Sequence, residues 1–215
     1  MDKFYLEIPS LERKEDTLEY LREFMEYKSK LHGSSGLERC ANGMSYEEWL
    51  DDVINSMDED YAKEQKRVPA TTCFMVRKSD SRIIGIVNIR HYLDTVLKNI
   101  GGHIGGSIRP SERGKGYAKI QLYLCLMECK KLGIPEVMID CEKSNVKSDK
   151  AIQSIGGVLD REFYYQLRKT YIKNYLVNVE ESLEQLKDTC GKQVLQMKRK
   201  WEYESNWSKK SFQRI

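Results

Sequence analysis

Apolar residues recur along this chain first at helical and then at strand spacing. From Glu15 to Leu31 the residues Leu18, Leu21, Phe24, Met25 and Leu31 fall on one stripe, which predicts an amphipathic helix. Gly33, Ser34, Ser35 and Gly36 end it and open a loop. A second helix is expected from Ser45, where Ser45-x-x-Glu48 reads as a capping box, with Tyr46, Trp49, Leu50, Val53, Met57 and then Tyr61 on its apolar face.

The spacing then changes. Ala70 to Arg77 and Arg82 to His91 read as strands of a hairpin about the turn Lys78-Ser79-Asp80-Ser81. A further strand, His103 to Arg109, must leave its sheet at Pro110, which has no amide hydrogen for a central ladder. A helix is predicted from Gly116 to Leu132, with Gly133 as its left-handed cap and Pro135 preventing continuation. Val137 to Cys141 is a nearly unbroken apolar strand, as for one buried on both faces. A helix from Asn145 to Ile155, stopped by Gly156-Gly157, and strands Val158 to Tyr165 and Arg168 to Tyr175 complete the body. After Val177 the pattern is helical again, through Val179, Leu183, Leu186, Cys190, Val194 and Met197. This order predicts an α/β (α+β) sheet of mixed direction over residues 1–177, followed by a helical, basic extension over residues 178–215.

Composition changes this picture little. No run of 18 apolar residues exists, which argues against a membrane span, and Met1 to Ser10 lacks the apolar core of a secretion signal. A cytoplasmic protein is expected. The six cysteines form no C-x-x-C pair, and Cys125 and Cys129, four apart on a predicted helix, read as packed thiols rather than as metal ligands with His103. No metal site is expected. The net charge of +3 is uneven: Lys192 to Ile215 carries seven basic residues against Glu202 and Glu204, leaving −2 for the rest. With Trp201, Tyr203, Trp207 and Phe212 interleaved, that tail has the make-up of a grip on single-stranded RNA or a ribosomal surface. The residues weigh more toward a terminal helix packed on the body or on a second subunit, so a homodimer stands open as a partner and nucleic acid as a lesser one.

The chemistry concentrates in Ile108-Arg109-Pro110-Ser111-Glu112-Arg113-Gly114-Lys115-Gly116-Tyr117-Ala118. A strand stops and a glycine-bearing turn leads straight into a helix, whose first turn offers unpaired amides and the positive end of the dipole. That combination suits phosphate or pyrophosphate. Gly114 and Gly116 allow close approach of the backbone, Arg113 and Lys115 add positive charge, and Ala118 lets the helix start pack closely. Two other phosphate loops fail: Gly101 to Gly106 is followed by Ser107 and Ile108 rather than Lys-Ser/Thr, and Gly114-Lys115-Gly116-Tyr117-Ala118-Lys119 lacks a third small residue.

Arg113-Gly114-Lys115-Gly116-Tyr117-Ala118 does match the R/Q-x-x-G-x-G/A pattern, and Asn145 with Ser148 resembles an N-x-x-[AS] element 29 residues beyond Gly116. On these motifs the chain resembles the GNAT N-acetyltransferase superfamily. Arg90-His91-Tyr92-Leu93 and Gly101-Gly102-His103-Ile104-Gly105-Gly106-Ser107 further resemble a bacterial branch of predicted acetyltransferases. The likeness runs from about Phe4 to Tyr175 and stops before the tail. It implies a mixed, mostly antiparallel sheet flanked by helices, with its fourth and fifth strands, His103 to Arg109 and Val137 to Cys141, splayed to admit acetyl-CoA. The pantetheine arm would pair between them. Ile108 would give it backbone contacts, and Asn145 would touch it with Ser148 nearby. The implied reaction is transfer of acetyl to a primary amine, on a small molecule or a peptide, by direct attack.

The resemblance is weakest at the proton donor. The tyrosine that many relatives carry before the closing glycine falls at Ile152, and the branch's tyrosine after His-Ile-Gly falls at Gly106. A non-catalytic coenzyme A-binding module is therefore the alternative, beside a transferase that reaches a ribosomal or RNA-bound partner through its tail. His103, and less so His91, could act as base, or could simply hydrogen-bond the loop Asp94 to Gly102. Glu142 faces either the mouth or solvent, and Tyr164 and Tyr165 read as packed strand residues.

Overall fold

The computed structural model describes residues 2–197. Strand β1 (Phe4–Glu7) is followed by helices α1 (Lys14–Glu26), α2 (Tyr46–Asn55) and α3 (Glu59–Glu64), then by strands β2 (Ala70–Arg77), β3 (Ile83–Arg90) and β4 (Ile104–Ile108). Helix α4 (Tyr117–Lys131) crosses to β5 (Glu136–Glu142), and α5 (Val146–Gln153), β6 (Val158–Tyr165), β7 (Thr170–Asn178) and α6 (Val179–Gln185) follow. The strands form two antiparallel sheets, ordered β1-β2-β3-β4 and β5-β7-β6.

Each sheet face finds its own partner. Tyr20, Leu21 and Phe24 of α1 and Trp49 of α2 pack with Phe74, Val76, Ile83 and Ile86 on one face of the first sheet. Burying each such large apolar side chain is worth about 1.5–3 kcal/mol. On the other face Leu124, Cys125 and Cys129 of α4 join Val87 and Ile89 to Val137, Ile139 and Cys141 of the second sheet, so α4 bridges the two.

Several boundaries differ from the sequence expectation. Helix α1 stops at Glu26 instead of Leu31 because Lys28 takes a positive φ of 47° and Ser29 N–H turns back to Phe24 O (2.9 Å); Met25 is exposed. The capping box at Ser45 and Glu48 forms, but its helix ends at Asn55, and Asp58 caps a separate α3. The helical pattern after Val177 holds only to Gln185. Beyond it the chain turns, and Val194 lies parallel to Phe4 with Leu195 N–H on Phe4 O (2.8 Å), covering the edge of β1. The first part of the extension expected over residues 178–215 puts Val179, Leu186 and Cys190 into the same core as the sheets. The basic and aromatic residues of the tail from Lys198 to Ile215 lie outside the described residues.

Candidate functional site

Strands β4 and β5 begin clasped and then part. His103 N–H donates to Met138 O (2.7 Å), and Met138 N–H donates to His103 Nδ1 (2.9 Å). Beyond the clasp the strands belong to different sheets. An accepting Nδ1 leaves the hydrogen on Nε2, so the ring is neutral. Burial, with the Arg90 cation nearby, pushes its pKa down to about 4. His103 therefore sits at the closed end of the splay and holds backbone. Neither His103 nor His91 bonds the loop between β3 and β4. Arg90 does so, through Gly101 O (2.9 Å) and Gly102 O (2.7 Å), while His91 Nε2 pairs with Thr71 Oγ1 (2.8 Å).

The open side of β4 is a free edge. Its ladder with β3 is fixed by Arg90 N–H on His103 O and by Arg109 N–H on Ile84 O, both 2.8 Å. Alternation along an antiparallel ladder then turns the N–H and C=O of Ile104, Gly106 and Ile108 away from β3 and into the gap. Gly106 is exposed there, and a Cβ on it would come within 3.0 Å of Val87 Cγ1. Ile152, the other position where a tyrosine is missing, is closed into the core at 3% exposure.

The glycine loop stands at the open end of this gap. Gly114 and Gly116 both have φ of 81°, and a Cβ on either would meet nothing within 4 Å. The glycines are thus needed for a left-handed backbone bordering free space, not for packing against protein. Gly116 is the N-cap of α4 without any side-chain cap, and among the described residues the amides from Gly114 to Ala118 find no acceptor in the protein. Left-handed turns running into a helix N-terminus aim such amides into one concavity, an anion nest.

The side chains of the loop do other work. Arg113 turns back, with Nε on Ile108 O (3.0 Å), an Nη on Ser29 Oγ (2.8 Å) and the guanidinium 5.3 Å from the Phe24 ring centre. Lys115 Nζ pairs with Glu112 Oε2 (2.7 Å), and the buried Glu112 also holds Arg77 (3.1 Å). The Tyr117 ring packs on Phe4, 4.8 Å between centroids. The positive charge expected from Arg113 and Lys115 is largely committed to the loop itself, so the pull on an anion comes chiefly from backbone amides.

One scaffold residue was missed by sequence reasoning. Glu23 of α1 accepts from Arg109 Nε (2.6 Å) and from Ser111 N–H (2.8 Å), and Glu19 takes a second guanidinium nitrogen of Arg109 (2.6 Å). Arg109 is only 2% exposed. Burial works against the Glu23 charge, but its bonds to Arg109 and Ser111 hold the carboxyl below the usual carboxylate range. Helix α1 thereby fixes where β4 ends and the loop begins.

On the far side of the gap, Asn145 caps α5 through Oδ1, which accepts from Ser148 N–H (3.2 Å). Its amide NH₂ and the Ser148 hydroxyl have no hydrogen-bond partner among the described residues. Asp149 then anchors α5 to β7: Lys173 Nζ lies 2.6 Å away, and Tyr175 and Gln153 also donate to it, taking its pKa to about 2. Glu142 ends β5 half-buried, and Tyr164 is exposed, edge-on to Tyr171 at 5.2 Å.

Over β4 lies the loop after α1. His32 N–H donates to Ser107 Oγ (2.7 Å), and Gly33 packs its backbone on Gly105. Sequence reasoning passed over His32, although it is one of only three histidines and stands beside the glycine that ends the α1 pattern.

The splayed strands, the glycine loop opening a helix and the two flanking helices define the arrangement of an acyl transferase fold. The acetyltransferase (GNAT) domain family matches residues 12–158, and the chain belongs to that family. Among solved structures it is similar to a chimera of the spermidine N-acetyltransferase SpeG from Vibrio cholerae and hSSAT, at 16% identity and a TM-score of 0.53, covering 85% of this chain and 99% of that one. It is similar to the microcin self-immunity acetyltransferase MccE in complex with acetyl-CoA and AMP, at 19% identity and a TM-score of 0.57, covering 83% and 93%. It is also similar to the ribosomal-protein acetyltransferase RimL in complex with coenzyme A, at 13% identity and a TM-score of 0.57, covering 82% and 94%. A comparison with curated protein sequences finds no match.

Proposed function

We propose that this chain transfers an acetyl group from acetyl-CoA to a primary amine by direct attack. The observation that carries the reading is the amide nest of Gly114 to Ala118 at the open end of a strand gap with an unpaired edge. Acetyl-CoA supplies the acetyl group as an activated thioester. The nest would hold its pyrophosphate, and the outward N–H and C=O groups of Gly106 with the N–H of Ile108 would align its arm as an added strand, Ile108 O being held by Arg113. The Asn145 amide and the Ser148 hydroxyl would meet the arm from the other wall. His103 would keep the closed end of the gap shut, so that the arm stops at a fixed depth.

The solved neighbours that hold acetyl-CoA or coenzyme A support the cofactor, and those named for spermidine and for a ribosomal protein support an amine acceptor, small or peptide. Calorimetric titration with acetyl-CoA, followed by thiol release over spermidine and peptides with free N-termini, tests the reading. Saturable binding followed by amine-dependent release is expected. Binding without turnover on any amine would leave a coenzyme A-binding module instead.

A further inference from the structure

The remaining gap in the transfer reading is the group that takes the acceptor's proton. We propose that His32, in the loop after α1, is that base. The role rests on the acetyl-transfer reading above.

Three observations place His32 over the splay. Its own amide is tied to Ser107 Oγ at 2.7 Å, in the strand that forms one wall of the gap. The next residue, Gly33, has φ of 68° and lies so close to β4 that a Cβ on it would come within 2.2 Å of Gly105 O, so the loop packs backbone to backbone on the strand. The ring also senses Glu142, at the end of β5 on the opposite wall, and Arg168, in the turn between β6 and β7. A residue whose backbone is held on β4, and whose ring responds to charges on β5 and the following hairpin, lies at the opening between them.

The charge state suits the task. The groups around the ring are Lys30 and Glu38 on its own side, and Glu142 and Arg168 across the gap. Burial is the largest influence, followed by Arg168 and Lys30, and together they hold the imidazole below the ordinary histidine pKa against the two carboxylates. His32 is therefore neutral near pH 7 and able to accept a proton. The residue is exposed and, among the described residues, no hydrogen bond ties up its ring nitrogens, whereas His103 spends Nδ1 on Met138 and His91 spends Nε2 on Thr71. In the step itself, the acceptor ammonium gives one proton to the His32 imidazole. The freed lone pair forms the C–N bond to the acetyl carbon, and the C–S bond breaks with its electron pair on sulfur. The second proton lost from nitrogen passes to that sulfur or to water.

The test uses the full chain with acetyl-CoA and whichever amine of the panel turns over. His32→Gln should lower kcat by about 10²-fold or more, the usual contribution of a positioned base, with acetyl-CoA affinity unchanged. His91→Gln should match wild type. The acid limb of kcat/KM should vanish in His32→Ala, and added imidazole should restore part of the rate. His32→Gln turning over at the wild-type rate overturns the role alone. Wild type that binds acetyl-CoA but acetylates no amine overturns the transfer reading and the role with it. NMR titration of the His32 ring gives an independent check on its placement. Arg168→Met should raise its pKa, and coenzyme A should shift its resonances. A ring indifferent to both is not over the gap, and the proposal then falls.

Discussion

Gly116 and Gly133 stand at opposite ends of α4 and separate backbone strain from ligand contact. Their φ values are 81° and 72°, and a Cβ on either meets nothing within 4 Å. Alanine at either position must hold a left-handed backbone, at about 1–2 kcal/mol. Restriction of the unfolded chain offsets about 0.4–1 kcal/mol of that. Each variant should thus lose about 1 kcal/mol, which for a chain of 215 residues lowers Tm by about 2–4 °C. The two should melt alike. They should not bind alike, because only Gly116 adjoins the free amides, and a methyl there fills space the phosphates need while a relaxed φ re-aims the nest. Losing one charge-assisted hydrogen bond removes about 1.5–3 kcal/mol, so Gly116→Ala should weaken acetyl-CoA binding by about tenfold or more. Gly133→Ala should stay within about twofold of wild type, since the ligand term is absent there. Calorimetric titration of both variants, with melts in parallel, reads the two effects separately. Equal weakening by both, or wild-type affinity in Gly116→Ala, would refute the assignment of the loop.

Three further outcomes follow from the scaffold. Between about pH 6.5 and 4 the unfolded chain protonates His103 and the folded chain does not, so stability should fall as pH drops through that window, by roughly 3 kcal/mol in all. Urea melts across it should show that slope in wild type and a flatter one in His103→Gln. Arg109→Met strips the half-buried Glu23 of its main partner, leaving Ser111 N–H and Arg82 at 3.6 Å, and should destabilise by about 1.5–3 kcal/mol, the worth of a hydrogen bond to a charged group. Because the Glu23 pKa is held low in the wild-type fold, the benefit of Arg109 is present above the ordinary carboxylate range and lost in acid, so the deficit should be smaller at pH 4 than at pH 7. Gly33→Ala combines a left-handed φ with a Cβ 2.2 Å from Gly105 O, and backbone on both sides cannot yield as a side-chain tip can. It should cost more than the 1–2 kcal/mol of φ strain alone, measured by thermal melts, and should release the His32 amide from Ser107, seen as faster hydrogen exchange.

The parts of the site that were legible in the sequence are the parts made of backbone. Gly114, Gly116 and the run into Tyr117 specify a left-handed turn and a helix start by steric rules that act within a few residues, and Asn145 with Ser148 specifies a helix cap in the same local way. Strand β1 was not legible, because Phe4 to Glu7 has only four residues and its place is set by pairing with β2, some seventy residues away in the chain. Long side chains were the least legible. Arg113 beside a phosphate loop reads as an anion ligand, yet Ile108 O, Ser29 and the Phe24 ring, brought in by β4 and α1, take its donors and its face. His103 and His91 stand at strand ends, where the Met138 amide of β5 takes one ring nitrogen of His103 and Thr71 takes one of His91.

The same distinction explains why the scaffold can stand without a ligand and still favour one. The carboxylates that frame the loop pair with its cations: Glu112 holds Arg77 and Lys115, and Glu23 holds Arg109. Among the described residues the fold leaves unpaired the amides from Gly114 to Ala118 and the outward edge of β4 up to Ile108 O, which Arg113 takes. Unpaired amides at a helix start are satisfied by water in the empty site and by an anion in the filled one, so they cost the apo protein little. A free arginine in the same place would repel its neighbours when no anion is bound. Internal pairing of Arg113 and Lys115 thus makes binding depend on geometry more than on net charge. Raising the salt concentration should therefore weaken acetyl-CoA only modestly, while a single methyl at Gly116 should weaken it strongly.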